Sequence, residues 1–234
     1  MIRSKALNNA RAEALAKAGI EVRSSDARLV SETKNELIDF YSKFAETSTK
    51  GIILDERIIR ESEPKKVKGF SYEIEIEIEV IVALQIGEPD RGFEVNIESS
   101  EEAVKEGESF TLTVVTTKDG YLTIFNVYRD SLSVVFPNSI DKANRIIANK
   151  SFVFPPSKAY DLQLSVPQGK QTSEEMFIAV VTKERIPFPN FEETKLTDGA
   201  VMLKMGQFKT YTNWLHTIPL QARCSDQILM TARK

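Results

Sequence analysis

Residues 70–84 read Phe-Ser-Tyr-Glu-Ile-Glu-Ile-Glu-Ile-Glu-Val-Ile-Val-Ala-Leu, the strongest local pattern in the 234-residue chain. Phe70, Tyr72, Ile74, Ile76, Ile78, Val80, Val82 and Leu84 alternate with Ser71, Glu73, Glu75, Glu77, Glu79, Ile81 and Ala83. Successive side chains of a strand point to opposite faces, so the pattern predicts one long half-buried strand with an apolar face and a largely acidic face. Upstream, Ile52–Arg60 reads as a second strand, and Glu63-Pro64-Lys65-Lys66 reads as the turn that lets the two pair antiparallel. A helix over residues 2–18 precedes them, with Leu7, Ala10, Ala14 and Ala18 at helical spacing and Gly19 at its C′ position. A short strand over Ile20–Arg23 and a second helix over Ser31–Ala45 complete an N-terminal domain of residues 1–88, a helix packed on an antiparallel sheet.

The first helix is cationic, with Arg3, Lys5, Arg11 and Lys17 against Glu13. Its apolar stripe is small and Ala-rich, which favours packing on a sheet over lying on a membrane surface.

Outward in the other direction, Gly87-Glu88-Pro89-Asp90-Arg91-Gly92 is the best linker. Beyond it, the predicted strands are Phe93–Ile97, Ser109–Thr117, Tyr121–Tyr128, Leu132–Phe136, Phe152–Phe154, Tyr160–Val166 and Met176–Lys183. Turn residues at Asp119-Gly120, Pro137-Asn138, Pro155-Pro156 and Gln168-Gly169 punctuate them. Many short strands broken in this way predict a β-sandwich with Greek-key, Ig-like connections over residues 93–234. A closing helix is expected at 198–215, capped by Asp198, with a last strand over Gln227–Ala232. The fold class is therefore α+β.

Composition narrows function by exclusion. The balance of 31 basic and 34 acidic residues gives a net charge of −3, which argues against a general nucleic-acid binder. A single cysteine, Cys224, forbids an internal disulfide, and a single histidine, His216, leaves most metal and nucleophile constellations without parts. No apolar run approaches the roughly 18 residues of a membrane span. Neither a Walker A sequence, a Rossmann glycine set nor a G-x-S-x-G elbow occurs.

Three constellations carry chemistry in principle. The Glu73, Glu75, Glu77, Glu79 row offers carboxylates to a hard cation such as Ca²⁺. The preferred reading is a solvated face paired with Lys or Arg across the strand. His216 closes a helix, where a cation suits the dipole, and Arg223 beside Cys224 modestly favours its thiolate. The aromatics Tyr121, Phe125, Tyr128 and Phe136 suit either a ligand surface or the sandwich core, and the core is preferred. No catalytic residue, cofactor or metal ligand is assigned. A hydrolase built on the Glu row, or on Asp141 and Asp161, is the least favoured reading.

Residues 107–183 resemble a bacterial domain family of unknown function. The matching pieces are Gly107-Glu108, Gly120-Tyr121-Leu122-Thr123-Ile124-Phe125-Asn126, Val135-Phe136-Pro137-Asn138, Asn144 and Phe154-Pro155, with a looser extension around Trp214. The resemblance implies an accessory β-sandwich module of the kind found in envelope proteins and beside caspase-like or kinase domains. It brings no catalytic residues, but marks Tyr121, Phe125, Phe136, Pro137, Asn138, Asn144 and Trp214 as motif or interaction positions. Residues 6–84 are similar to the N-terminal domain of flagellar assembly protein T and related outer-membrane lipoproteins. That likeness rests on Ala10–Val22, on Ser48 to Ile52, and on Tyr72–Val82. The stretch from Met1 shows neither the signal-peptide pattern nor the lipidated cysteine of those proteins, as expected either of a cytoplasmic protein or of a sequence trimmed at its N-terminus.

Together these imply a non-enzymatic accessory protein of the bacterial cell envelope, periplasmic or outer-membrane-associated. It would act in assembly or protein–protein interaction, with outer-membrane or flagellar components as partners. Exposed sheet edges would serve for strand addition, and the basic first helix would meet an acidic partner. No nucleic acid is expected, and homo-oligomerisation is left open. The alternative is a cytoplasmic sensory or regulatory module of a larger peptidase- or kinase-linked protein.

Overall fold

The computed structural model describes residues 2–18, 51–67, 72–128, 131–186, 192–194 and 203–234. The expected strand at Ile20–Arg23, the helix at Ser31–Ala45 and the Asp198 cap lie outside the described residues. The chain is an α+β protein with a β-sandwich, and it divides into two compact units. One comprises Met1–Ile86 with Leu215–Thr217, and the other Gly87–Trp214 with Ile218–Lys234.

In the first unit, α1 (Ile2–Lys17) lies against a ribbon of β1 (Gly51–Glu61) and β4 (Ile76–Leu84). Between these run β2 (Lys65–Lys66) and β3 (Tyr72–Glu73), which pair with each other. The alternating stretch is thus two strands. At the break, Ser62 N donates to Glu75 O and Glu75 N donates to Ser62 Oγ, each at 2.9 Å. Lys65 and Lys66, expected in the turn, instead pair with Glu73 and Tyr72 as strand residues.

The register of β1 on β4 sorts the ribbon's faces. Ile53, Glu56, Ile58 and Glu61 stand opposite Val82, Val80, Ile78 and Ile76, while Asp55, Arg57 and Arg60 stand opposite Ile81, Glu79 and Glu77. Irregularities after Ile53 and Ile58 keep each set on one face despite the uneven spacing in β1. On α1, Arg3, Leu7, Arg11 and Leu15 form one stripe at four-residue spacing. Leu7 and Leu15 are buried. Arg3 clamps Glu61 through two bonds of 2.6 and 2.8 Å, and Arg11 clamps Glu56 through two of 2.5 and 2.7 Å. Such planar two-bond pairing suits a guanidinium and a carboxylate. Both arginines thus meet glutamates of the helix's own sheet.

The second unit is a β-sandwich. Its large sheet runs β15 (Glu192–Thr194), β16 (Leu203–Gln207), β10 (Ser131–Phe136), β9 (Gly120–Tyr128), β14 (Thr172–Thr182), β17 (Arg223–Arg233) and β6 (Ala103–Lys105). A short β11 (Arg145–Ile146) pairs with the start of β9. All neighbours are antiparallel except β17 and β6. The second layer holds β12 (Phe152–Phe154), β8 (Leu112–Thr116) and β5 (Val95–Ser99), and beside it β7 (Ser109–Phe110) pairs with β13 (Leu162–Gln163).

Between the layers Phe93, Ile97, Phe110, Leu112 and Val114 pack against Leu122, Ile124, Phe177, Ala179, Val181 and Met230 in one core. The opposite face of the large sheet is also closed. There α2 (Phe208–His216) sets Tyr211 and Trp214 on Phe125, with ring centroids 4.9 and 5.6 Å away. Strands covered on both faces read as unbroken apolar runs, as in Met176-Phe-Ile-Ala-Val-Val181 of β14, where every residue is buried.

Two further expectations are corrected here. Residues 203–207 are not the first turns of the closing helix but strand β16, paired with Ser131–Val134, and the helix starts at Phe208. Pairing along the β10 flank outweighs the helical spacing of Val201, Met205 and Phe208. The strand expected over Tyr160–Val166 shrinks to Leu162–Gln163, because Gly107 N donates to Leu164 O and Val166 N donates to the Glu106 carboxylate. Strands β6 and β11 had no distinct signal.

Candidate functional site

Three of the motif residues, Phe136, Pro137 and Asn138, lie where the chain leaves β10. Phe136 is fully buried, its ring 4.8 Å from Phe152 and 5.7 Å from Phe154. Pro137 follows through a cis peptide bond, as Pro155 follows Phe154. Asn138 then closes the loop with every polar atom of its side chain. Its Nδ2 donates to Val135 O at 2.9 Å and to the Tyr160 hydroxyl at 2.7 Å. Its Oδ1 accepts from Ile140 N at 2.9 Å and Asp141 N at 2.8 Å, and its own backbone N donates to Asp141 O.

The Tyr160 hydroxyl passes the chain on, donating to Asp141 Oδ2 at 2.8 Å. Burial pushes that phenol far above the ordinary tyrosine range, and the Asp141 charge adds to the rise against the Asn138 bond. The hydroxyl therefore stays protonated and serves as one acceptor and one donor in a fixed relay, Asn138 to Tyr160 to Asp141.

Asn144 returns the loop to the sheet. Its Nδ2 donates to Leu122 O at 3.0 Å, and Leu122 N donates to Asn144 O at 2.8 Å, just before β11 begins. Tyr121 is half-buried opposite Arg145 and Thr182. Phe125 and Trp214 belong to the cluster beneath α2, whereas Phe136 belongs to the core between the layers. Of the four aromatics weighed as one ligand surface, Phe125 and Phe136 thus lie in two separate apolar layers, and Tyr121 and Tyr128 are half-buried. Tyr160 and Asp141 had no motif to announce their partnership, since nineteen positions separate them.

Other charged and polar groups of this unit are also bonded within it. Lys118 and Lys183 grip Asp90 at 2.7 and 2.6 Å, and together with Gly92 N they hold its carboxyl well below the carboxylate range. Burial raises the Glu175 carboxyl, which accepts from Asn126 at 2.8 Å. Arg223 is buried and donates through Nε to Ile218 O. Burial pushes the Cys224 thiol up to about 12, with the Glu94 charge adding to it. The expectation that Arg223 would favour a Cys224 thiolate is thereby corrected, since desolvation outweighs the neighbouring cation.

In the helix-and-ribbon unit, the glutamate row is solvated and cross-strand paired. Arg57 meets Glu79 at 2.9 Å, and Arg60 lies 3.5 Å from Glu77 and 3.9 Å from Glu75. At the ribbon's far end an open cleft of about 430 Å³ is lined by Ile2, Arg3, Glu61, Pro64, Tyr72 and Ile74. Among the described residues no group of three or more His, Cys, Asp or Glu is arranged to hold a metal ion, and no helix is long and apolar enough to cross a membrane.

Residues 103–185 match the family model described as a domain of unknown function, DUF4384. The DUF4384 segment begins at β6, ends just past β14, and contains the Asn138 relay, Asn144 and both cis-proline loops. No curated protein matches the chain.

Proposed function

We propose that the protein is a non-enzymatic accessory protein of the bacterial cell envelope that works in assembly through protein–protein contact. The observation that carries this reading is the use made of the motif's polar side chains. Asn138, Tyr160 and Asp141 bond to one another, and Asn138 and Asn144 also bond the backbone of Val135 and Leu122, the pattern of a fixed scaffold. A scaffold of strands offers its edges and loops to other chains. The likeness of residues 6–84 to the N-terminal domain of flagellar assembly protein T and outer-membrane lipoproteins supports the envelope as its compartment.

The test is crosslinking in cells, capture of the full-length native protein, and identification of its partners by mass spectrometry alongside cell fractionation. Outer-membrane, peptidoglycan-linked or flagellar components in the capture are the expected result. A soluble cytoplasmic set would overturn the envelope reading in favour of a regulatory module attached to a peptidase or kinase.

A further inference from the structure

We propose that the outer edge of β4 is a strand-addition site for an extended protein segment in which basic and apolar residues alternate. The inference deepens the assembly reading, on which it rests, by naming the surface and the chemistry of its occupant.

Among the described residues β4 pairs only with β1, so its nine residues carry a second row of backbone donors and acceptors along the other side. An edge of this length is a ready template for another chain. The apolar layer beneath α1 stops short at the same place. Ile52 and Ile53 of β1 and Leu7 and Leu15 of α1 are buried, whereas Ile76, Ile78, Val80 and Val82 of β4 are only half-buried. One more strand would cover them.

The opposite face sets the chemistry of that strand. Glu75, Glu77 and Glu79 share two guanidinium groups, Arg57 and Arg60, both on the β1 side, and the three carboxylate side chains remain 60–74% exposed. Residues of an added strand would stand about 5 Å from Glu77 and Glu79, where opposite charges stabilise and like charges destabilise. Lysine or arginine at those positions fits. Ile81, exposed at 57%, extends the same row, and the apolar stem of a lysine beside it would pack on it. A second copy of the chain is a poor occupant, because antiparallel pairing along the whole of β4 would set Glu77 and Glu79 opposite Ala83 and Ile81 and bring neither carboxylate a cation.

The probe is a fluorescein-labelled peptide alternating valine and lysine, measured by anisotropy on the full chain, with hydrogen exchange read by mass spectrometry. The control peptide keeps the lysines but carries a central proline, which cannot donate to a ladder. The expected result is binding about tenfold tighter than the control's, with new protection at residues 76–84. Charge reversal with Glu77→Lys and Glu79→Lys should weaken binding about tenfold or more. If that variant fails to fold by circular dichroism, Glu77→Gln and Glu79→Gln should weaken binding in the same direction. Equal binding of both peptides, absence of binding, protection elsewhere, or a dimer that buries 76–84 would each overturn the proposal. Capture of envelope partners by the charge-reversed chain at wild-type yield would remove this edge and leave the assembly reading standing. Peptide binding at 76–84 without any envelope partner in cells would do the opposite.

Discussion

Replacing Asn138 with alanine removes four side-chain hydrogen bonds at once, two donated and two accepted. At about 1 kcal/mol of net stability per bond the sum is about 4 kcal/mol. The loop is half-buried, so water re-satisfies part of what is orphaned and the expected loss is about 2–3 kcal/mol. Trp214 is the chain's single tryptophan, buried against Phe125 in the same unit, and its fluorescence reports unfolding of the sandwich directly. With a slope of about 1–3 kcal/mol per molar urea, the midpoint should fall by roughly 1–2 M.

Tyr160→Phe deletes the next member of the relay and should cost about 1–2 kcal/mol. Because the Nδ2-to-hydroxyl bond is lost in either variant, the double variant should be less destabilised than the sum by about 0.5–1 kcal/mol. An Asn138→Ala midpoint within error of the parent, or strict additivity of the pair, would refute the assignment of Asn138 as the loop's closing residue.

Gly120→Ala should destabilise the sandwich by about 1–3 kcal/mol in the same urea assay, since a Cβ there would lie 2.8 Å from Thr182 O and 2.6 Å from Val181 Cγ1, forcing β9 and β14 apart. Cys224 and Tyr211 are both pushed up to about 12 by burial, so folding favours their neutral forms. Their contribution is fully present below the unfolded values of 9.0 and 10.0 and is lost as pH rises from about 9 toward 12. Urea midpoints should fall across that window, and a thiol reagent at pH 8 should label Cys224 only after denaturant is added. Glu56→Gln leaves the buried Arg11 guanidinium without its carboxylate. As Glu56 itself is partly exposed, the cost should be about 2–3 kcal/mol, below that of breaking a fully buried pair, and thermal melting by circular dichroism measures it.

Much of this architecture was legible in local pattern. Period-two alternation foretold the β1–β4 ribbon and its acid-bearing face, because a half-buried strand repeats its environment every second residue. The apolar run 176–181 and the punctuating prolines and glycines foretold a sandwich for similar reasons. The motif stretch was legible too, and residues 103–185 carry a domain of unknown function.

What local pattern misplaced was set by partners distant in the chain. Leu203–Gln207 is a strand because β10 offers it a flank, and the Leu164–Val166 segment is irregular because Gly107 and Glu106 take its backbone groups. The sequence by itself determined which residues are apolar, which turn, and which alternate, since those properties are local. Only the tertiary structure decided that Asn138 meets Tyr160 and Asp141, that Arg3 and Arg11 meet Glu61 and Glu56, and that burial governs Cys224. Pairing and desolvation depend on groups dozens of residues away, and no local window contains them.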